Sequence, residues 1–273
     1  MMGTLYLCAT PIGNLEDMTL RALRIMKEAD GIVCEDTRHT LKLLNHYGIQ
    51  KPLISYHQHD LERGETRILA WLEEGRTVVM VSDAGLPCIS DPGARLVPLA
   101  REKGHRVSVL PGASASLSAL MLSGQDTNRF AFEGFLPRSK RKERLRELAR
   151  DPRTLIFYEA PHRLKAVLAD MAEVFGGERS ISLVREITKI HEETFVTSLG
   201  EATKHFETQE PRGEYVLVVA GAAETVAEGP WQELLRQYLA DMPAMDAVKA
   251  VARERGIKKS EVYQESLRLR GRT

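Results

Sequence analysis

The chain has 273 residues, enough for two domains that each bury a core. Its 43% hydrophobic and 28% charged residues are those of an ordinary globular protein. Thirty-eight Lys and Arg balance 38 Asp and Glu, which excludes a uniformly basic nucleic-acid coat and leaves room for a local basic patch. Cys8, Cys34 and Cys88 are odd in number and lack CxxC spacing, which argues against a disulfide framework or a structural zinc site. No apolar run reaches membrane-spanning length, and Met1–Leu7 carry no basic leader. The expectation is a cytoplasmic protein without a membrane partner.

The first half alternates strand and helix signals. Strands are predicted at Thr4–Ala9, Gly31–Cys34, Leu53–Tyr56, Thr77–Val81 and Val107–Leu110. Helical spacing fills Thr19–Ala29, a segment running from Glu35–Arg38 to Tyr47, Glu65–Glu74 and Gly93–Lys103. Strands separated by helices in this way imply a mostly parallel sheet covered on both faces. A small-residue helix follows Pro111 and runs to Leu122. The strand Arg129–Phe135, a helix over Arg138–Arg153, the strand Leu155–Tyr158, a helix to Phe175 and the strands Ile181–Val184, Thr194–Leu199 and Tyr215–Ala220 come next. Longer extended runs here suggest a mixed sheet. Val226–Pro230 reads as a linker, followed by three amphipathic helices with Gly256 between the last two, as in a helix-turn-helix connection. The expected organisation is therefore an α/β protein with domains at 1–111 and 112–225 and a small helical tail at 226–273.

Several strand ends carry loops of Gly, Pro and Asp. The fullest is Ser82–Gly93, directly after the apolar run Thr77–Val81. In open α/β sheets the carboxyl ends of strands are where ligands bind. Glu35-Asp36-Thr37-Arg38 places two carboxylates, a hydroxyl and a guanidinium after a buried strand. It reads either as a capped helix start or as a polar cluster facing a cleft, with Arg38 suited to gripping a phosphate. His57 and His59 follow the third strand, but two His without a matched carboxylate do not define a metal site, and none is expected.

Taken in order, Ala9-Thr10-Pro11-Ile12-Gly13-Asn14-Leu15-Glu16-Asp17, Glu35–Thr40, Ser82–Gly93, Leu110-Pro111-Gly112, Phe132–Pro137, Phe157-Tyr158-Glu159, His162-Arg163-Leu164, Arg185–Lys189 and Gly213-Glu214-Tyr215 resemble the tetrapyrrole methylase superfamily. More narrowly they are similar to its RNA-modifying branch, the 16S rRNA cytidine 2'-O-methyltransferases, over nearly all of residues 3–220. Ile257–Tyr263 resembles the same branch. Ala113-Ser114-Ala115 departs from the Pro-Cys-Ala that relatives often carry, a change the backbone role tolerates.

The resemblance implies S-adenosyl-L-methionine held in a cleft between two α/β domains, a homodimer, and 16S rRNA of the small ribosomal subunit as substrate. The chain lacks the acidic-GxGxG loop of Rossmann methyltransferases, consistent with a different binding mode. Pro11, Asp83, Ala84, Gly85, Ser114, Ala115, Gly213 and Glu214 lie at strand ends, where small residues let backbone groups reach a cofactor, and Tyr158 joins them by resemblance. Methyl transfer to a ribose hydroxyl needs alignment and a proton acceptor or orienting group, for which Glu35, Asp36, His57, Glu159 and Lys189 are candidates. Arg138, Lys140, Arg141 and Lys142, with Arg253, Lys258 and Lys259 of the tail, are the expected phosphate contacts. A tetrapyrrole-methylating enzyme and a non-catalytic ribosome-assembly factor are the alternatives. The basic segments argue against the first, since a compact tetrapyrrole site needs neither.

Overall fold

The structure, a computed structural model, describes residues 2–56, 61–90, 93–223 and 230–270. It comprises two compact units, Met1–Gly221 and Ala222–Thr273.

In the first unit, β1 (Thr4–Cys8), β2 (Gly31–Cys34), β3 (Leu53–Ser55), β4 (Thr77–Val81) and β5 (Arg106–Leu110) form a parallel sheet in the order β3-β2-β4-β1-β5. Strand alternation sends Val79 and Val81 into one core with Met26 and Leu44, from α1 (Leu20–Glu28) and α2 (Thr37–His46). Val78 and Met80 enter the opposite core with Ile68 and Leu72 of α3 (Leu61–Glu73) and Leu96 of α4 (Leu96–Glu102). Burial on both faces is why these strands read as continuous apolar runs.

The second sheet contains β6 (Phe130–Phe135), β7 (Thr154–Glu159), β8 (Ser180–Arg185), β9 (Glu193–Ser198) and β10 (Tyr215–Val219), in the order β6-β7-β10-β8-β9. Only β6 and β7 pair in parallel, so the sheet is mixed. Leu155, Phe157, Leu183 and Leu217 pack against α6 (Arg141–Leu148), α7 (Pro161–Phe175) and α8 (Leu199–Thr208). On the other face, Ile156, Val184, Val216 and Val218 meet α5 (Ala115–Ser123).

The second unit has its own core. Leu235 of α9 (Trp231–Asp241), Val248 and Val251 of α10 (Ala244–Arg255) and Val262 of α11 (Lys259–Arg270) are all buried. Among the described residues no helix is long and apolar enough to cross a membrane.

Three elements differ from their sequence reading. The helix predicted over Arg138–Arg153 is only Arg141–Leu148: Lys140 sits at φ +61°, outside helical space, and Asp151 before Pro152 disfavours continuation. Helix α8 was not anticipated, although Ser198-Leu199-Gly200-Glu201 has the Ser-x-x-Glu pattern of a helix start and Ser198 Oγ accepts from the Glu201 N–H at 3.3 Å. Helix α3 begins at Leu61 rather than Glu65 and runs through Gly64. That glycine is there because a Cβ would stand 2.6 Å from the ring of Tyr56, a fully buried side chain whose hydroxyl donates to Glu65 at 3.0 Å. Gly64→Ala is therefore expected to lower stability by about 1–3 kcal/mol despite alanine's better helix propensity, read as a fall in Tm.

Candidate active site

The carboxyl ends of β1 and β4 are tied by a two-residue backbone bridge. Thr10 N–H donates to Gly85 O at 2.8 Å, and Gly85 N–H donates to Thr10 O at 3.1 Å. Thr10 Oγ1 donates to Ser82 O at 3.0 Å, and Ser82 Oγ donates to Gly85 O at 3.0 Å. Both hydroxyls are buried and satisfied, so the two loops are held as one piece. Gly85 lies at φ +76°, a conformation that favours glycine.

Beyond this bridge lies a cavity of about 480 Å³. From the first half of the unit it is lined by Ile12, Asp83, Ala84, Gly85, Leu86, Ile89 and Ser90, then by Ser114–Leu117 at the start of α5. The second half contributes Phe132, Phe135, Tyr158, Glu159, Val184, Glu186, Ile187, Lys189, Glu214, Tyr215 and Val216. The halves meet at Gly13, where a Cβ would lie 2.5 Å from Lys189 Cγ and 2.8 Å from Ile187 O. Four of the five described non-glycine residues with left-handed φ are Cys88, Ser90, Glu186 and Thr188. All belong to the loops around this cavity, a concentration of backbone strain of the kind found at functional sites.

The cavity is rich in carboxylates. Asp83 Oδ1 is buried without a hydrogen-bond partner among the described residues, and so is Glu159 Oε2. The other Glu159 oxygen accepts from the Ala160 N–H at 2.9 Å and faces Arg163 Nε at 3.3 Å. Burial pushes the Glu159 carboxyl above its usual range, against the pull of the Ala160 hydrogen bond and Arg163. Lys189 Nζ contacts Glu186 at 2.9 Å and Glu214 at 3.5 Å. Desolvation pulls this ammonium down, but the Glu186 hydrogen bond and the Glu214 charge outweigh it and raise the net value. Glu186 in turn is held below the carboxylate range by its hydrogen bond with Lys189.

Of the residues singled out from the sequence, Asp83, Ala84, Gly85, Ser114, Ala115, Tyr158, Glu159, Lys189 and Glu214 line the cavity. Pro11 and Gly213 do not, but each precedes a lining residue, and a Cβ on Gly213 would overlap Glu186. Glu35, Asp36 and Arg38 are not brought to it. Asp36 caps α2, accepting from the Arg38 N–H at 2.8 Å, and its carboxylate pairs with the Arg38 side chain at 3.0 Å. That exposed contact lowers the Asp36 pKa to about 2. His57 lies outside the described residues.

Lining residues that sequence reading missed include Glu186, whose positive φ the sequence does not announce, and the aromatic pair Phe132 and Phe135. Simple alternation puts those two rings on opposite faces. A register shift between Phe132 and Gly134 turns both toward Tyr158, with edge-to-face centroids at 5.0 and 5.6 Å.

A second, shallower concavity of about 360 Å³ is bordered by Arg138, Lys140, Arg141, Lys142, Glu143, Arg146 and Asp170. Arg141 is committed to Asp170 and to the Ala166 carbonyl, and Lys142 to Glu173 at 2.7 Å. Lys140 stands 3.7 Å from Glu143. Arg138 and Arg146 are exposed and carry no ion pair among the described residues. No group of three or more potential metal-ligating side chains occurs among the described residues.

The model of the tetrapyrrole (corrin/porphyrin) methylases matches residues 4–203. The chain belongs to this family. Among the methylases similar to it over nearly full length is ribosomal RNA small subunit methyltransferase I of Halalkalibacterium halodurans, 48% identical over 96% of this chain and 93% of its own. The protein of that name from Escherichia coli O157:H7 is 42% identical over 98% and 96%. The Thermotoga maritima protein of that name is 46% identical over 81% of this chain and 99% of its own length. Solved structures share the methylase fold at lower identity. The methyltransferase CobJ superposes with a TM-score of 0.62 at 23% identity, covering 82% of this chain and 95% of CobJ. The Thermus thermophilus uroporphyrin-III C-methyltransferase complexed with S-adenosyl homocysteine gives 0.59 at 20% identity, over 80% and 97%.

Proposed function

We propose that this chain transfers a methyl group from S-adenosyl-L-methionine to the 2'-hydroxyl of a cytidine in 16S rRNA of the small ribosomal subunit, in the cytoplasm. Likeness at 42–48% identity to rRNA small subunit methyltransferases I, over nearly the whole chain, carries this reading.

The cavity fits the cofactor on its own terms. Its volume lies in the range of small-molecule sites. The orphaned acceptor Asp83 Oδ1 suits a ligand rich in N–H and O–H donors. Asp83, Glu159, Glu186 and Glu214 against Lys189 leave the lining negative, complementary to a cationic ligand. The residues that would hold it are Asp83, Ala84 and Gly85 after β4, Ser114 and Ala115 at α5, Tyr158 on β7, and Glu214, with Pro11 and Gly213 shaping the adjoining turns. When bound, the cofactor supplies a methyl already made electrophilic by its sulfonium.

The chain's own task is to position the ribose oxygen and remove its proton. Lys189, kept protonated by Glu186 and Glu214, orients that oxygen as a hydrogen-bond donor rather than acting as the base. Glu159 Oε2 accepts the proton that the ribose hydroxyl gives up, its raised pKa making it a better base than an exposed carboxylate, while the cofactor, when bound, would supply the methyl group. Arg138, Lys140 and Arg146 form the phosphate-facing part of the basic concavity, which Arg141 and Lys142 brace through Asp170 and Glu173.

Helix α5 supports a homodimer. Met121 on it is 80% exposed beside exposed Leu117 and Leu122, a run of apolar side chains turned to the surface.

Incubation with the cofactor and undermethylated small subunits is expected to yield one new 2'-O-methyl cytidine in the mapped 16S rRNA. Methylation of a tetrapyrrole instead, or none with either acceptor, would overturn the assignment. Glu159→Gln should cut kcat about 10²–10⁴-fold. A base with a raised pKa works above that value and is lost as pH falls through it, so the acid limb of the wild-type kcat profile should vanish in this variant. Light scattering at micromolar concentration should report a dimer for the wild type and a monomer for Met121→Asp.

A further inference from the structure

The described residues that line the cavity all belong to Met1–Gly221. The second unit nevertheless buries a core of its own, so it is built to keep a shape. The family match ends at residue 203, and the Thermotoga maritima relative leaves about a fifth of this chain without a counterpart. A protein bearing that printed name therefore does without a stretch as long as this unit.

Its charge is uneven. Residues 249–273 contain eight Lys and Arg against three Glu. Gly256, left-handed at φ +63°, ends α10 and turns the chain into α11 within three residues. Arg253, Lys258 and Lys259 flank that turn. All three are exposed, and no hydrogen bond or ion pair holds their side chains among the described residues. Along α11, Val262 and Ser266 face the core, whereas Lys259, Tyr263 and Leu267 recur every four residues on the outside. Tyr263 is 42% exposed and Leu267 46%, so an aromatic and an apolar side chain continue the line that the lysines begin. Unpaired cations beside an exposed aromatic ring are the chemistry that meets RNA phosphates and an unstacked base.

We propose that the second unit is an RNA-docking module: Arg253, Lys258 and Lys259 bind substrate phosphates, Tyr263 stacks on a base, and the module adds affinity for rRNA without serving the methyl-transfer site. This rests on rRNA being the substrate. Each phosphate contact contributes about 0.7–0.9 to the slope of log affinity against log salt.

The test uses the full chain carrying Arg253→Ala, Lys258→Ala and Lys259→Ala together. Binding to undermethylated small subunits is measured without turnover between 50 and 200 mM salt, with cofactor titrations alongside. The salt slope should fall by about 2.1–2.7, so that the affinity lost across this range shrinks about 20- to 40-fold. Cofactor affinity should be unchanged, Tyr263→Ala should weaken subunit binding at unchanged slope, and Arg236→Ala, an exposed cation on α9, should alter the slope by no more than one contact. An unchanged slope in the triple variant overturns the proposal. Weakened binding at unchanged slope in that variant also overturns it, since the partner would then be a protein surface. Wild-type protein that binds subunits but methylates nothing defeats the enzymatic assignment instead, because the slope is read without turnover.

Discussion

The backbone bridge between Thr10 and Gly85 is the contact on which the site depends. Parallel strands do not by themselves dictate where the loops beyond their ends go. Here two N–H to carbonyl bonds and the buried hydroxyls of Thr10 and Ser82 extend the pairing past β1 and β4. The loops can then carry Ile12, Asp83 and Gly85 to the cavity without spending apolar contacts to hold themselves in place. The same positioning brings Gly13 against Ile187 and Lys189, with no room for a side chain between the two halves. The first sheet thus sets the geometry of one wall and the distance to the other.

That seam also organises the electrostatics. Glu186 at φ +50° is turned toward Lys189, and Gly213 lets Glu214 approach the same ammonium. A lysine between two carboxylates stays charged through neutral pH, so it can donate and orient but not abstract a proton. Glu159 has the opposite environment. One of its oxygens is held by Ala160 and Arg163, and the other is buried without a donor. Both pKa values are raised, but the shift favours the charged form of Lys189 and the neutral form of Glu159, which divides the chemical roles between them.

Comparison of the two basic segments separates structural charge from available charge. Arg141 and Lys142 look, in sequence, like the centre of a phosphate footprint, yet both are anchored to acidic residues of α7. Lys258 and Lys259 read the same way and stand free of ion pairs among the described residues. A count of cations measures neither, because an ion pair made across helices leaves no trace in the local sequence.

Much of the fold was legible in the residues because it rests on short-range rules. Buried apolar runs marked the parallel strands, and Gly, Pro and Asp marked the ends where the cavity opens. The clustering of Asp83–Gly85, Ser114–Ala115 and Glu214 followed from placing ligand-facing loops at strand ends, and Tyr158 from the family resemblance. Other residues were harder to place, because local and distant partners compete. Asp36 and Arg38 stand in a row of polar side chains; in the structure Asp36 caps α2 and pairs with Arg38, and neither lines the cavity. Phe132 and Phe135 reach one cavity only through the register shift at Gly134. Glu186 takes its place through the Glu214 N–H, 28 residues away, and Glu159 is left with one orphaned oxygen because Ala160 and Arg163 hold only the other. The sequence by itself determined the alternation of strands and helices and the loops that end them, because periodicity and turn chemistry act over a few residues. Which side chains share a cavity, and which charges remain free, only the tertiary structure decided, because those depend on pairing between segments that local pattern does not encode.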